Sequence, residues 1–211
     1  MNKMIALIIF ATMTAVMSGQ NDPEAIKILD RFSSIALSSP SVSIKFNLIT
    51  INQPEQKNDT VAGSLIMAKD QYRLEMPDNI TWYNGSFSWN YLIREKEVTI
   101  TRPGKKDDSF MSRPSSIFTL YKKGYKTRLV EENSKTYIID LYPEDLKNDL
   151  IRIRLAIGRS NDDLVEAEYK RKDGIVIYLV VNDYNLKTKP ETSDFTFDSK
   201  KYKDVEVNDM R

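Results

Sequence analysis

The chain contains neither cysteine nor histidine in its 211 residues. The first absence excludes disulfides, thiolate nucleophiles and a lipid-modified cysteine. The second removes Ser-His-Asp and Cys-His constellations and most zinc sites. A surplus of either charge is missing too. Lys and Arg number 31 against 30 Asp and Glu, a formal net charge of +1, which offers no basic stripe for nucleic acid. No G-x-x-x-x-G-K, G-x-G-x-x-G or G-x-S-x-G pattern occurs, nor a D-x-D-x-D-G calcium loop, so nucleotide, hydrolase and calcium chemistry have no motif to stand on. Neither cofactor nor metal is expected. Adjacent carboxylates do occur, at Asp107-Asp108, Glu131-Glu132 and Asp162-Asp163. Sequence neighbours in polar loops are solvated charge before they are an acid/base pair, and Lys105-Lys106 beside the first pair makes that stretch a mixed surface loop. A binding protein is expected, not an enzyme.

What is present begins with a leader. Lys3 supplies a positive start, Met4 to Val16 is apolar apart from Thr12 and Thr14, and the small Ser18 and Gly19 suit a cleavage site. The run falls short of the roughly 20 apolar residues that a membrane-spanning helix needs. Residues 1–19 are therefore expected to be a cleavable signal peptide and 20–211 a single exported domain in the periplasm. At 41% hydrophobic and 29% charged residues, that domain has the composition of an ordinary globular core.

A helix opens the domain. Asp22 suits the N-cap, Pro23 the first helical position and Glu24 the dipole. Ile28, Leu29, Phe32, Ile35 and Ala36 form one apolar stripe, and Ser38-Ser39-Pro40 ends it. Strands then dominate. Val42, Ile44, Phe46 and Leu48 alternate with polar residues, and Tyr72, Leu74 and Met76 alternate with Gln71, Arg73 and Glu75. Asn84-Gly85 and Lys172-Asp173-Gly174 signal hairpins. A second, short helix is expected from Pro114 to Gly124, carrying Ile117, Phe118, Leu120 and Tyr121. In all the spacing predicts about eleven strands in an antiparallel meander, more than an open sheet carries without curling. The expected fold is mainly β: an unclosed antiparallel half-barrel with helices packed in its concave face as a lid.

The apolar residues of such a sheet line either a filled core or a hollow. Candidates for a binding cavity are Phe46, Leu48, Leu65, Met67, Tyr72, Leu74, Met76, Trp89 and Tyr91 on strands, with Ile117, Phe118 and Tyr121 from the lid. The methionines, Met111 included, suit an adaptable wall. Residue type alone leaves filled and hollow as equal alternatives.

Several segments, in order, resemble a known family. They are Asp22-Pro23-Glu24-Ala25, Gly63-Ser64-Leu65 leading into Tyr72-Arg73-Leu74-Glu75-Met76-Pro77, and Asn84-Gly85 with Trp89 and Tyr91. Ile117-Phe118-Thr119-Leu120-Tyr121, Asp140-Leu141-Tyr142-Pro143-Glu144-Asp145 and Phe195-Thr196-Phe197-Asp198 follow. Together they resemble LolA, the periplasmic outer-membrane lipoprotein carriers, in the version typical of Bacteroidetes-type bacteria. The resemblance implies a hydrophobic cavity for the acyl chains of lipoproteins, received from an inner-membrane lipoprotein-releasing ABC transporter and delivered towards the outer membrane, with or without an outer-membrane acceptor; from its size the carrier is expected to be a monomer. It also implies a role for Arg73, which matches the family's arginine between two aromatic residues, a latch that holds the lid closed. Here Leu74 stands where the second aromatic is usual, and alternation sets Arg73 on the face opposite Tyr72 and Leu74. Other readings of the same fold are an RseB-like or glycolipid-binding carrier or sensor and, from a different class, a carboxylate-only hydrolase.

Overall fold

The computed structural model describes residues 21–103 and 113–211. The expected leader, Met111, Lys105-Lys106 and Asp107-Asp108 lie outside the described residues. Helix α1 (Pro23–Ser38) begins as the sequence predicts: the Asp22 carboxylate accepts from the Glu24 and Ala25 amides, and Pro23 occupies the first turn. The same residue has a second task. Its other oxygen accepts from the Leu129 amide and its own amide donates to the Thr127 carbonyl. The start of the helix thus covers part of an otherwise open strand edge. The apolar stripe of α1 is buried at Ala25, Ile28, Leu29, Phe32 and Ala36, whereas Ile35, expected with them, is exposed.

Among the described residues twelve strands form one sheet: β1 (Val42–Asn52), β2 (Lys57–Ala68), β3 (Gln71–Glu75), β4 (Asn79–Tyr83), β5 (Ser88–Leu92), β6 (Glu97–Thr101), β7 (Tyr125–Glu132), β8 (Thr136–Pro143), β9 (Leu150–Gly158), β10 (Leu164–Arg171), β11 (Ile175–Asn185) and β12 (Glu206–Asp209). The order is β12-β6-β5-β4-β3-β2-β1-β11-β10-β9-β8-β7, with β12 and β7 at opposite edges. The sheet is open, as expected. Two meanders, β1–β6 and β7–β11, meet where β1 pairs with β11. The strand missing from the sequence expectation is β12, which pairs in parallel with β6. The expected second helix is two short 3-10 turns, Pro114–Phe118 and Leu120–Lys122.

The sheet curls around α1. A single core cluster joins Ile28, Leu29 and Phe32 of the helix to Phe46, Leu65, Met67, Tyr72 and Leu74 of one meander and to Ile139, Leu155, Ile157, Leu164, Ala167 and Leu179 of the other. A glycine makes room for a core ring between β1 and β2. Gly63 faces Phe46 across the pair, and a Cβ there would sit 2.6 Å from the Phe46 ring and 2.7 Å from Met76 Sδ. The 3-10 turns are fastened to α1 by the Phe32–Phe118 ring contact, centroids 5.1 Å apart, and by the Tyr121 hydroxyl, which donates to Asp30 at 2.5 Å.

Candidate functional site

The candidate cavity residues divide into three groups. Phe46, Leu65, Met67, Tyr72, Leu74, Ile117, Phe118 and Tyr121 are buried in the core cluster, and Met76 packs against it, half-buried. They fill their part of the concave face. Trp89 and Tyr91 lie on the other side of the sheet. Each strand pairing places opposed residues on one face, and the chain Arg73–Trp82–Trp89–Ile100 runs outside, opposite Tyr72 and Tyr83. There Trp82, Tyr91 and Val98 form a second cluster with Ile80, Trp89, Phe197, Tyr202 and Val205. The tail after β11 covers it, with Tyr91 and Tyr202 ring centroids 5.0 Å apart. Trp89 and Tyr91 therefore belong to the seat of the tail.

Arg73 lies on the face that strand alternation assigned to it. Tyr72 and Leu74 point inward, so Arg73 points outward, as strand alternation requires. Its Nε lies 2.9 Å from Glu75 Oε1 as an ion pair without hydrogen-bond alignment. Its Nη1 lies 3.9 Å from Asp194 Oδ1, in the 3-10 turn Thr192–Phe195 that begins the tail. Arg73 sits between sheet and tail, away from the concave side where a lid would close.

Only Leu48 of the candidates borders the open space in the concave face. This cavity, about 850 Å³, is lined by Leu48 of β1, Leu150 and Ile153 of β9, Tyr169 and Arg171 of β10, and Ile177 and Leu179 of β11. Ser116, Thr119, Leu120, Lys123, Gly124 and Tyr125 roof it, with Arg113 and Asn148 beside them. The floor is one continuous patch of sheet, since Tyr169 pairs with Ile153 on one side and Ile177 on the other, and Leu48 pairs with Leu179. Burial pushes the Tyr169 phenol well above its ordinary range, and nearby Tyr125 adds to the shift, so Tyr169 stays a neutral donor at any physiological pH. The volume lies within the roughly 300–1,000 Å³ typical of small-molecule pockets. Sequence reasoning recognised β9, β10 and β11 as strands but singled out none of their residues; the signal was their inward apolar alternation.

The outer face behind that floor is ionic. Asp140 on β8, 1% exposed, accepts from Arg154 Nε at 2.6 Å and Nη2 at 2.9 Å, and from the Tyr142 hydroxyl at 2.9 Å. Arg152 donates to Glu168 at 2.7 Å and lies 3.8 Å from Asp140. Burial by itself would raise the Asp140 carboxyl. The hydrogen bonds from Arg154 and Tyr142, with the charges of Arg154 and Arg152, outweigh it and hold the carboxyl below the usual range.

Among known families, the model of the outer membrane lipoprotein carrier protein LolA matches residues 16–160, more than half of the chain. The chain belongs to the LolA family. No curated protein matches it. Among solved structures, an uncharacterized conserved protein from Thermus thermophilus superposes with a TM-score of 0.58 at 14% identity, over 88% of this chain and 99% of its own. At that identity the likeness shows a shared fold. Weaker likenesses are to a LolA superfamily protein from Nitrosomonas europaea (TM-score 0.44, 14% identity, 82% of this chain and 97% of its own) and to the lipoprotein LppX of Mycobacterium tuberculosis (0.42, 13%, 80% and 98%). The LolA match ends at residue 160, so Tyr169, Arg171, Ile177 and Leu179 of the cavity lie beyond it. No helix among the described residues is long and apolar enough to cross a membrane.

Proposed function

We propose that this LolA-family chain is a periplasmic carrier that shelters the acyl chains of lipoproteins in the cavity between β9–β11 and the 3-10 turns. On this reading residues 1–19 are removed on export, and the domain works as a monomer and a binder, not an enzyme. The observation that carries it is the unfilled apolar space of about 850 Å³, floored by Leu48, Ile153, Ile177 and Leu179 in a concave face that is otherwise packed. Each methylene taken out of water gains about 0.8 kcal/mol, so an exposed chain of ~16 carbons costs on the order of 12 kcal/mol. A lipoprotein crossing an aqueous compartment needs a host that offsets most of that. The partners this implies are acylated lipoproteins, an inner-membrane ABC transporter that releases them and an outer-membrane acceptor.

Native mass spectrometry of the protein purified from periplasm, followed by lipid extraction, tests the reading. Co-purified di- or triacylated lipoproteins are the expected result. Free lipid alone would transfer the cavity to another lipid cargo. An empty protein that also fails to take up a hydrophobic dye would overturn the carrier role.

A further inference from the structure

The cavity floor carries one residue that an all-hydrocarbon ligand does not call for. Tyr169 stands between Ile153 and Ile177 in the sheet, all three lining the cavity. A tyrosine hydroxyl set in a half-buried apolar wall ordinarily finds a hydrogen-bond partner. Tyr121 has Asp30 and Tyr142 has Asp140, yet among the described residues the Tyr169 hydroxyl makes no hydrogen bond, and it is not sealed from the space it borders. Among the described residues, the other polar side chains of the lining are Arg113, Ser116, Thr119, Lys123, Tyr125, Asn148 and Arg171, none of them a carboxylate. Several of these already have tasks. Arg171 pairs with Asp173, the Thr119 hydroxyl donates to the Ser116 carbonyl, and Asn148 accepts from the Leu150 amide. Among the described residues the Tyr169 hydroxyl thus faces the cavity as a donor without a protein acceptor, which a bound ligand can supply.

Resting on the carrier reading above, we propose that Tyr169 anchors the polar end of the bound acyl chain, donating a hydrogen bond from its hydroxyl to an ester or carboxyl oxygen. Ile153 and Ile177 hold the methylenes on either side. The cavity then selects acyl groups over plain hydrocarbon, and Tyr169 is the residue that sets the selection. A phenol suits the task because it remains a neutral donor in an apolar wall, where an ammonium would be costly to bury.

The test is competition for a cavity-bound hydrophobic dye by hexadecanoate, methyl hexadecanoate and hexadecane, on the native protein and on Tyr169→Phe. The substitution keeps the ring and removes only the hydroxyl, and dye binding together with thermal unfolding verifies that the fold survives. One neutral hydrogen bond contributes about 0.5–1.5 kcal/mol, or roughly 2- to 10-fold in affinity. Tyr169→Phe is therefore expected to weaken the oxygenated probes by about that factor and to leave hexadecane unchanged. Loss for the methyl ester supports the anchor and assigns it to an ester oxygen; loss confined to hexadecanoate supports it and assigns it to a free carboxylate. Equal affinities before and after substitution, or equal losses for all three probes, overturn the anchor while the cavity stands. Failure of the native protein to bind dye and all three probes overturns the carrier reading instead.

Discussion

The two halves of the sheet are built from the same alternating strands and finished differently. Strands β3 and β4 are apolar on both faces and β5 and β6 on the outside: Tyr72, Leu74 and Tyr83 pack inward, and Trp82, Tyr91 and Val98 pack outward under Phe197, Tyr202 and Val205. Strands β8–β10 face inward with Leu141, Ile153 and Tyr169, part of that face bordering the cavity, and outward with Asp140, Arg152, Arg154 and Glu168. A wall that borders a void lacks packing partners on that side. Behind this wall, bonds between charged side chains cross from β8 to β9 and from β9 to β10 on the far face. The difference teaches where the fold gets its rigidity: one half from aromatic packing on both faces, the other from an ionic brace behind the hollow.

The largest expected effect breaks the aromatic half. Trp82 is 3% exposed and meets the Phe197 and Tyr202 rings edge-on at 5.7 and 5.5 Å. Trp82→Ala should lower the unfolding free energy by about 3–5 kcal/mol, measured in urea. It should also make the tail susceptible to proteolysis before the remainder. A loss of less than about 1 kcal/mol would mean that the tail contributes little to this half.

The brace comes next. Asp140→Asn leaves Arg154 without its carboxylate and Arg152 with Glu168 alone. Breaking a buried pair costs about 3–5 kcal/mol; because Arg154 is 31% exposed, about 2–3 kcal/mol is the expected loss here. Its pH dependence follows from sign. A carboxyl held below its unfolded value of about 3.9 stabilises fully above that value, and the contribution disappears as pH falls through the depressed folded value. Glu166 has the opposite sign: burial first, and Glu168 second, raise it, so its ionisation costs stability as pH rises. Native protein should therefore lose stability on acidification from about pH 5 to pH 2 more steeply than Asp140→Asn. Parallel urea curves across that range would remove Asp140 as the source.

The hollow itself is sharpened by filling it. Ile177→Trp on the floor projects a larger ring into space that already exists, so stability should change by less than about 1.5 kcal/mol. Dye or acyl-chain affinity should fall about tenfold or more, near 1.4 kcal/mol. The same substitution in the filled part of the core, at Leu65, should instead cost about 1–3 kcal/mol of stability from overpacking.

How much of this was legible follows from the same comparison. Alternation located eleven of the strands because each buries one face. It missed β12, whose Glu206, Val207, Asn208 and Asp209 are all exposed and give no period. It could also tell that two faces exist without telling which is inside. Trp82 and Tyr83 are neighbours in sequence, yet register sends the first outward opposite Arg73 and the second inward opposite Tyr72. For that reason Trp89 and Tyr91, chosen as aromatic cavity lining, proved to be the seat of the tail. The cavity was the least legible part, since emptiness depends on how far the roof at Ser116, Thr119 and Leu120 stands from the floor at Ile153 and Ile177, and no residue type records that distance.

The smallest expected effect concerns Arg73, the residue the family resemblance made a latch. Its contacts run to Glu75 at 2.9 Å and Asp194 at 3.9 Å, with the side chain 34% exposed. Ion pairs of that exposure are worth about 0.2–1 kcal/mol, and salt screens them. Arg73→Gln should therefore lower stability by no more than about 1 kcal/mol, by less still in high salt, and hasten proteolysis at the tail. Acyl-chain affinity should stay within about twofold of native, since the hollow lies on the other face of the sheet and takes none of its lining from β3. An affinity change of tenfold or more would show that the outer face communicates with the cavity through the sheet, and the two halves would then have to be treated as one device.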